Sequence, residues 1–302
     1  MIMKINNKIN LKKYLLLMSK EVNISLKKYL PKDKSIISQA MRYSVLAGGK
    51  RLRPIFVILG AEIFGLSKQK IEPAICAVEF LHTYSLIHDD LPAMDNDDLR
   101  RGKPTSHKKF GENAAILAGD ALLTESFNLI AQCNVPSDRI VKAIRNFAEY
   151  SGYKGMIAGQ AEDTLEAGKW NKKDISLCKN KLEFIHINKT SALIKASIKI
   201  GAILAGAKEK DLVLLDKYAH NIGLAFQIAD DILDVYADKK LLGKNGSDND
   251  NNKLTYLSLY GKEKSEENAK NLISEAKKVI SKFKTKKEIL EALADYMIDR
   301  RF

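Results

Sequence analysis

Apolar residues recur every three or four positions along almost the whole chain, a spacing that places them on one face of an α-helix. The chain has 302 residues, and its apolar runs stop at helix-terminating residues such as Pro31 and the Gly48-Gly49 pair. The alternation typical of strands is almost absent. The pattern predicts helices at residues 11–30, 34–47, 54–64 (opened by Pro54), 70–90, 111–132, 138–158, 174–185, 188–206, 209–236, 254–260, 263–283 and 286–299.

Such a run of helices without a long linker predicts an all-α fold. We expect one large domain, residues 1–302, built as a helix bundle around a central cavity. The apolar content of 45% is that of a chain able to form a hydrophobic core. The polar segments at 98–110 and 238–253 are predicted to be loops, and loops often carry functional residues.

The charge of the chain changes this picture little. A net charge of +13 suggests anionic partners, but the excess is mostly lysine scattered along the sequence. No basic segment interleaved with aromatic residues stands out, so nucleic acid is not predicted as a partner. A lysine-rich solvated surface explains the charge more simply.

The spacing of the cysteines and the length of the apolar runs indicate the cellular compartment of the protein. Cys76, Cys133 and Cys178 are far apart, which supports neither a disulfide framework nor a zinc site and fits a reducing environment. The apolar run at 14–18 is shorter than a signal-peptide core. No stretch approaches the roughly 20 apolar residues that span a bilayer. We therefore expect a cytoplasmic protein without a membrane span.

The first chemically distinctive stretch is an acidic cluster after an apolar helix. Its carboxylates belong to Asp89, Asp90, Asp95, Asp97 and Asp98. Pro92 breaks the helix, and Arg100 and Arg101 follow. Carboxylates this close repel one another unless cations hold them together, and hard oxygen ligands suit Mg²⁺. Arginines beside them suit phosphate oxygens. The simpler alternative is a solvated acidic turn.

A second acidic motif has regular helical spacing. Asp230 and Asp234 are four residues apart and share a helix face, with Gln227 and Gly223 on earlier turns. No lysine at helical spacing inside the motif neutralises them, so simple solvation is a poor explanation. Two acidic faces in one bundle predict Mg²⁺ ions held across a cavity, with diphosphate oxygens completing the coordination.

A third element is basic. Residues 48–54, Gly-Gly-Lys-Arg-Leu-Arg-Pro, place three cations in a turn at a helix N-terminus, where charge and free amide groups can bind an anion. An exposed basic loop is the alternative. His82 lies seven residues before Asp89, at almost the same azimuth on a straight helix. This alignment favours a role in the site over burial as an ordinary core histidine.

Taken in order, these motifs resemble the short-chain trans-isoprenyl diphosphate synthases, most closely the bacterial farnesyl diphosphate type. The resemblance covers nearly the whole chain. It includes Gly-Gly-Lys-Arg-Leu-Arg-Pro, the histidine and first aspartate cluster followed by Arg-Arg-Gly, Lys189-Thr190, Phe-Gln-x-x-Asp-Asp-x-x-Asp, and Lys-Asn-Gly-Ser-Asp from residue 244. It implies an all-α isoprenoid synthase fold, prenyl diphosphate substrates and a homodimer.

The resemblance also implies a role for each matched residue. Those expected to hold two or three Mg²⁺ ions, with Mn²⁺ as a substitute, are Asp89, Asp95, Asp230 and Asp234. Those expected to support them in catalysis are Asp90, Asp231 and Lys189. The residues expected to bind the allylic diphosphate are Arg100, Lys189, Thr190, Gln227, Lys244 and Lys253. Those expected to bind isopentenyl diphosphate are Lys50, Arg53, His82 and Arg101.

The chemistry implied is ionisation of the allylic C–O bond, with metals and cations neutralising the departing diphosphate. The isopentenyl double bond then attacks the allylic cation, and the released diphosphate takes the proton.

In this family the positions four and five before the first aspartate form the floor of the elongation pocket; here they are Ser85 and Tyr84. The tyrosine predicts a farnesyl product, with geranyl and geranylgeranyl diphosphate as alternatives.

The chain departs from the family pattern at Asn188, usually histidine, and at Glu162, usually apolar. Arg300-Arg301 is expected either to fold over the diphosphate or to form a frayed end.

Three alternative functions are a terpene cyclase, a non-catalytic regulatory subunit and a lysine-rich nucleic-acid binder. The first two are disfavoured by the basic loop and by the two complete aspartate motifs, respectively.

Overall fold

The computed structural model describes residues 4–5, 8–165, 174–236 and 254–299, and side chains within 10–165, 174–234 and 254–299. The α-helices of these residues are α1 (Leu11–Tyr29), α2 (Ile36–Val45), α3 (Leu52–Glu62), α4 (Glu72–Asp89), α5 (Ser106–Phe110), α6 (Glu112–Ala131), α7 (Ser137–Ser151), α8 (Met156–Leu165), α9 (Ile175–Ile185), α10 (Ala192–Leu204), α11 (Glu209–Tyr236), α12 (Tyr256–Tyr260), α13 (Lys262–Ile280) and α14 (Lys287–Ile298). A 3₁₀ turn (Lys68–Ile71) precedes α4, and a π-helical segment (His186–Ser191) joins α9 to α10.

The predicted all-α class is confirmed. The strands of the described residues form two short antiparallel pairs, β1 (Lys4–Ile5) with β2 (Lys8–Ile9) and β3 (Leu99–Arg100) with β4 (Lys103–Pro104). The loop predicted at 98–110 was therefore wrong in part, because it contains the second pair and helix α5. Two-residue strands are too short to show an alternating pattern.

Four helix predictions need correction. The helix predicted at 188–206 starts within the π-helical segment His186–Ser191, and α10 itself spans Ala192–Leu204. The helix predicted at 138–158 is two helices, since α7 ends at Ser151 and α8 begins at Met156 after Gly152 and Gly155. Helix α3 begins at Leu52 rather than Pro54, which lies in its first turn. Helix α2 ends at Val45, so Gly48 and Gly49 do not cap it directly; their φ angles of +98° and +131° instead shape the following turn.

Contacts among the described residues divide the chain into two compact units. Unit 1 comprises Met1–Arg145 with Ile200–Ala207, and unit 2 comprises Asn146–Lys199 with Lys208–Phe302. The boundaries fall inside α7, inside α10 and just before α11. The expectation of one domain over residues 1–302 stays a prediction, and each unit is described by itself.

Unit 1 is organised around α4. This helix is apolar on nearly all sides and is buried from Pro73 to Leu81, as expected of a central core helix. Helix α6 packs along it and buries Ala118 and Leu122. By length and composition α6 is also the one described helix that could cross a membrane, which is weak evidence because core helices pass the same test.

A buried ion pair fixes the turn before α3. Arg51 has a positive φ of 53°, and its guanidinium donates to Glu79 Oε1 on α4 at 2.5 Å, to Asn23 Oδ1 at 3.0 Å and to the Val45 carbonyl at 2.7 Å. Both members of the Arg51–Glu79 pair are at most 3% exposed. This cation of the basic motif therefore holds the turn in place and is not available to a ligand.

Unit 2 is organised around α11. Leu224 and Ile228 pack against Ala269 of α13. Tyr218 is fully buried, and its hydroxyl donates to the Leu290 carbonyl of α14 at 2.7 Å. The opposite side of α11 meets the π-helical segment, where Gly223 lies so close to Ser191 that a Cβ would collide with it. The face of α11 that carries Gln227 is thereby placed beside Thr190.

Candidate active site

The first aspartate motif occupies the end of α4 and the turn after it. The helix ends at Asp89, and the chain folds back so that the Asp95 amide donates to the Asp89 carbonyl at 2.8 Å. The Met94 amide donates to the Leu91 carbonyl within the same turn. Asp89 is half-buried and Asp95 exposed. The break at Pro92 thus brings together two residues that a straight helix would hold about 120° apart.

Asp90 differs from the other aspartates of the cluster because it is buried, and its carboxylate pairs with Arg100. Nε and Nη2 of Arg100 both lie 2.6 Å from Asp90 Oδ1, and Nη2 also lies 3.7 Å from Asp97 Oδ2. Burial raises the pKa of Asp90, and the Arg100 guanidinium opposes that shift. Arg100 therefore presents one edge to Asp90, which leaves its Nη1 edge for another acceptor.

A tight hairpin turn gives the two consecutive arginines different directions: Arg100 ends strand β3, and Arg101 is the first residue of the turn. Between β3 and β4, Arg101 and Gly102 have φ angles of +55° and +73°, the positive pair that a type I′ two-residue turn requires. The Arg101 guanidinium donates to the Gly48 carbonyl, and a Cβ on Gly49 would lie 2.9 Å from its Nη1. The hairpin thus directs Arg100 to the aspartate motif and Arg101 to the basic turn.

The remaining predicted cations of the basic turn lie near His82. Nη1 of Arg53 is 3.4 Å from His82 Nε2, and the Arg53 Nε atom is buried without a hydrogen-bond partner among the described residues. Burial, and then Arg53 and Arg101, hold the pKa of His82 well below its usual value. Lys50, three residues before Arg53 in the chain, is exposed. A half-buried guanidinium whose buried Nε lacks a partner among the described residues, beside a second arginine, favours an anion.

The predicted pocket-floor residues lie one turn below Asp89. Tyr84 is 6% exposed, and its ring meets the ring of His88 edge-on at a centroid distance of 5.5 Å. Burial raises the pKa of Tyr84, and the Asp89 carboxylate adds to the shift. Ser85 is half-buried and donates from Oγ to the His82 carbonyl at 2.9 Å. The tyrosine is thus the bulky side chain fixed beneath the motif.

The second aspartate motif repeats the arrangement of the first. Asp230 and Asp234 are half-buried on one face of α11, whereas Asp231 is buried. Asp231 Oδ2 accepts from the Tyr256 amide at 2.6 Å and lies 3.5 Å from His186 Nε2. In both motifs the middle aspartate is used for internal contacts, and the flanking aspartates are the more accessible ones.

The π-helical segment positions the predicted Lys-Thr pair. Lys189 Nζ lies 2.5 Å from Asp163 Oδ2 of α8, and Thr190 Oγ1 donates to Gln227 Oε1 of α11 at 2.8 Å. A Cβ on Gly159 would collide with the Lys189 backbone, so only glycine permits this approach of α8. Wide helical turns of this kind often mark functional positions.

The donor atoms suit Mg²⁺, although the described residues contain no cluster of three or more metal-binding side chains. The pair Asp89 and Asp95 supplies two carboxylates, and the pair Asp230 and Asp234 supplies two more. Mg²⁺ is usually bound through one or two carboxylates together with substrate phosphates, so two carboxylates in each group are a fitting set. The other predicted cations, Lys244, Lys253, Arg300 and Arg301, lie outside the described residues.

The two departures from the family pattern have local partners. Glu162 Oε1 lies 3.1 Å from Lys181 Nζ of α9, so its extra charge is paired within unit 2. The Asn188 side-chain amide donates to the Phe184 carbonyl at 2.9 Å, one turn earlier. Neither contact involves an aspartate of the motifs.

Sequence reasoning did not assign roles to several supporting residues. Glu79 is the clearest, because a lone carboxylate in an apolar helix must be paired when buried, and this signal was visible. His186 is another: it is 4% exposed, and its ring stacks on the Tyr256 ring at a centroid distance of 6.2 Å. Asp163, the Lys189 partner, becomes recognisable as one only once α8 meets the π-helical segment.

These features define an all-α protein of the isoprenoid synthase fold. The chain belongs to the polyprenyl synthetase family, whose model matches residues 34–296, and so to the trans-prenyltransferases. It is 47% identical over 295 residues to a geranylgeranyl diphosphate synthase of Cyanophora paradoxa, covering 96% of this chain and 97% of that one. It is 46% identical over 292 residues to the farnesyl diphosphate synthase of Escherichia coli, covering 93% and 96%.

A solved structure agrees with the fold. The apo crystal structure of an FPP/GFPP synthase from Zymomonas mobilis superposes with a TM-score of 0.83 at 34% sequence identity, covering 96% of this chain and 99% of that one. The predicted resemblance to the trans-isoprenyl diphosphate synthases is therefore confirmed. The relatives are named for products of different length, so the family alone leaves the product open.

Proposed function

We propose that the protein condenses isopentenyl diphosphate with dimethylallyl and then geranyl diphosphate, giving (2E,6E)-farnesyl diphosphate. The observation that carries this proposal is the buried Tyr84 ring one turn below Asp89. A large side chain at that point limits how far a growing chain can extend past the diphosphate end. Relatives named as farnesyl and as geranylgeranyl synthases are both compatible with the family, so the proposal rests on this residue.

In this proposal the accessible aspartates of the two motifs, Asp89, Asp95, Asp230 and Asp234, hold Mg²⁺, the metal that the family generally uses. The bound ions supply positive charge that stabilises the leaving diphosphate. Asp90 keeps the Arg100 guanidinium oriented, so that its Nη1 edge can donate to a diphosphate oxygen.

The remaining cations divide between the two substrates. Lys189 and Thr190 contact the allylic diphosphate, with Asp163 and Gln227 setting their orientation. Lys50, Arg53 and Arg101 bind isopentenyl diphosphate, helped by the low pKa that keeps His82 neutral and able to accept or donate one hydrogen bond. No side-chain nucleophile is required, because the substrate double bond forms the new carbon–carbon bond.

The direct test is a product assay. Purified protein incubated with isopentenyl diphosphate, dimethylallyl diphosphate and Mg²⁺ is expected to release diphosphate and accumulate a 15-carbon product, identified by chromatography of the hydrolysed alcohols. Omission of Mg²⁺ should abolish turnover. A mainly 20-carbon product would contradict the farnesyl assignment, and no turnover with any allylic diphosphate would contradict the enzyme itself.

Replacement of Tyr84 tests the pocket floor. Tyr84→Ala removes the buried ring and is expected to shift the main product to 20 carbons or more, because the space beneath Asp89 becomes larger. Tyr84→Phe is the matched control: it keeps the ring and should keep the wild-type product. If both variants make the wild-type product, Tyr84 does not set the chain length.

We also propose a cytoplasmic homodimer. Three buried cysteines, none in a disulfide, are what a reducing compartment favours. On the outer side of α6, Ile116 and Leu117 are 42% and 55% exposed and offer an apolar surface that a second copy could cover.

A further inference from the structure

The positive charge of the chain is concentrated at its beginning. Residues 1–36 contain nine lysines and two acidic residues, a net +7, whereas the whole chain carries +13. More than half of the excess therefore lies in about an eighth of the sequence. Helix α1 carries most of it and precedes the region matched by the family model, which begins at residue 34. The excess lysines are thus not spread evenly along the chain.

Helix α1 is held in unit 1 by its inner side. Leu26 and Val22 are buried there, and Ser25 donates to Glu72 Oε1 at 2.8 Å. The outer side combines exposed lysines with exposed aliphatic residues. This surface, called the α1 basic face, consists of Lys12, Lys13, Leu16, Leu17, Lys20, Ile24, Lys27 and Lys28.

The α1 basic face has a regular geometry. Lys13, Lys20 and Lys27 are seven residues apart, so they form one row along the helix at intervals of about 10 Å. The aliphatic residues flank that row and are strongly exposed: Leu16 is 56%, Leu17 48% and Ile24 70% accessible. Acidic charge at the edge of the face is paired: Glu21 contacts Lys68, and Glu72 contacts Lys28 of the face itself.

We propose that the α1 basic face binds the surface of an anionic lipid bilayer. Lysine rows attract anionic headgroups, and aliphatic side chains beside them can enter the interfacial region. Nucleic acid fits less well, because binding of its bases uses aromatic and arginine side chains, and neither type occurs in the face. The proposal does not depend on the product or on the catalytic residues, since all eight residues lie outside both aspartate motifs and the basic turn.

The experiment is vesicle co-sedimentation of the full chain. Vesicles of phosphatidylcholine alone are compared with vesicles containing about 30% phosphatidylglycerol, at about 0.1 M and about 0.5 M KCl. We expect binding to the anionic vesicles that weakens strongly at the higher salt, and little binding to the neutral ones. A triple variant, Lys13→Gln, Lys20→Gln, Lys27→Gln, should bind on the order of a hundredfold more weakly, at about fivefold per lysine.

Matched variants separate this face from total charge and from folding. Lys210→Gln, Lys264→Gln, Lys270→Gln removes the same charge from exposed positions on unit 2 and should bind like the wild type. Leu16→Ser, Leu17→Ser, Ile24→Ser keeps all lysines and should lower binding at least about tenfold. Prenyltransferase turnover in vesicle-free buffer should be unchanged in all three, which reports intact folding.

Three results would overturn the proposal. One is no sedimentation with anionic vesicles at low salt. Another is equal loss of binding in the unit 2 control, which would make the effect one of net charge. The last is tighter binding to a DNA duplex than to vesicles with the same dependence on the α1 lysines, which would identify the face as a nucleic-acid surface. Loss of turnover in every protein, with vesicle binding intact, would instead contradict only the proposed enzyme function.

Discussion

Asp230→Ala is expected to lower kcat on the order of 10²- to 10³-fold, with a higher Mg²⁺ concentration needed for half-maximal rate. Asp230 is half-buried on the face of α11 that also presents Asp234, and its carboxylate is not one of the motif's buried internal groups. In the proposed site, loss of one of the carboxylates that would hold Mg²⁺ should weaken stabilisation of the leaving diphosphate. Steady-state rates over a Mg²⁺ titration measure both effects.

A control on the same helix distinguishes this loss from damage to α11. Asp211→Ala removes a carboxylate from the first turn of α11, far along the helix from the motif. It should leave kcat within about twofold and cost at most about 1 kcal/mol through the helix terminus. Activity of Asp230→Ala within about threefold of wild type would show that Asp230 does not serve the metal.

Glu79→Ala is expected to destabilise unit 1 by about 3–5 kcal/mol, because it leaves the Arg51 guanidinium buried without its countercharge. Such a loss is a large part of the stability of an ordinary domain. Urea unfolding followed by circular dichroism would show a lower midpoint. Turnover should fall as well, since Arg51 fixes the turn that carries Arg53.

Two comparisons make the Glu79 prediction specific. Glu275→Ala removes one partner of an exposed pair with Lys278 and should cost at most about 1 kcal/mol. The double variant Arg51→Met, Glu79→Met should be more stable than Glu79→Ala, because no unpaired charge stays buried. If Glu79→Ala and Glu275→Ala unfold at the same urea concentration, the buried pair is not important for stability.

Much of the fold could be read from periodicity. Helix α11 was predicted with the bounds 209–236 that it has, because a long amphipathic run gives a strong 3.6-residue signal. The break between α7 and α8 was missed, since two glycines in a helical pattern do not by themselves end a helix. The β3–β4 hairpin was missed for a different reason: its turn uses Arg101 in a left-handed conformation, which few non-glycine residues adopt.

The residue types of the candidate site were also predictable from spacing, and the family resemblance predicted a role for each residue. Spacing by itself gave no physical reason for those different roles. Spacing alone cannot tell Asp89 from Asp90, yet one is half-buried and the other is bound by Arg100. Likewise spacing alone cannot tell Arg51 from Arg53 in one basic motif. The family resemblance assigned only Arg53 to a ligand, and the contacts with Glu79 and His82 supply the physical difference between the two arginines.

By itself, the sequence determined the helical class, the two aspartate motifs with their suitability for Mg²⁺, and the family resemblance. These follow from local spacing and side-chain chemistry, which any stretch of chain carries with it. The tertiary structure decided which carboxylates and guanidiniums are paired internally, why Gly159 and Gly223 must be small, and that α1 turns its lysines and some of its aliphatic side chains outward. Those properties depend on residues distant in the chain coming into contact, because burial, pairing and exposure arise only when the helices pack.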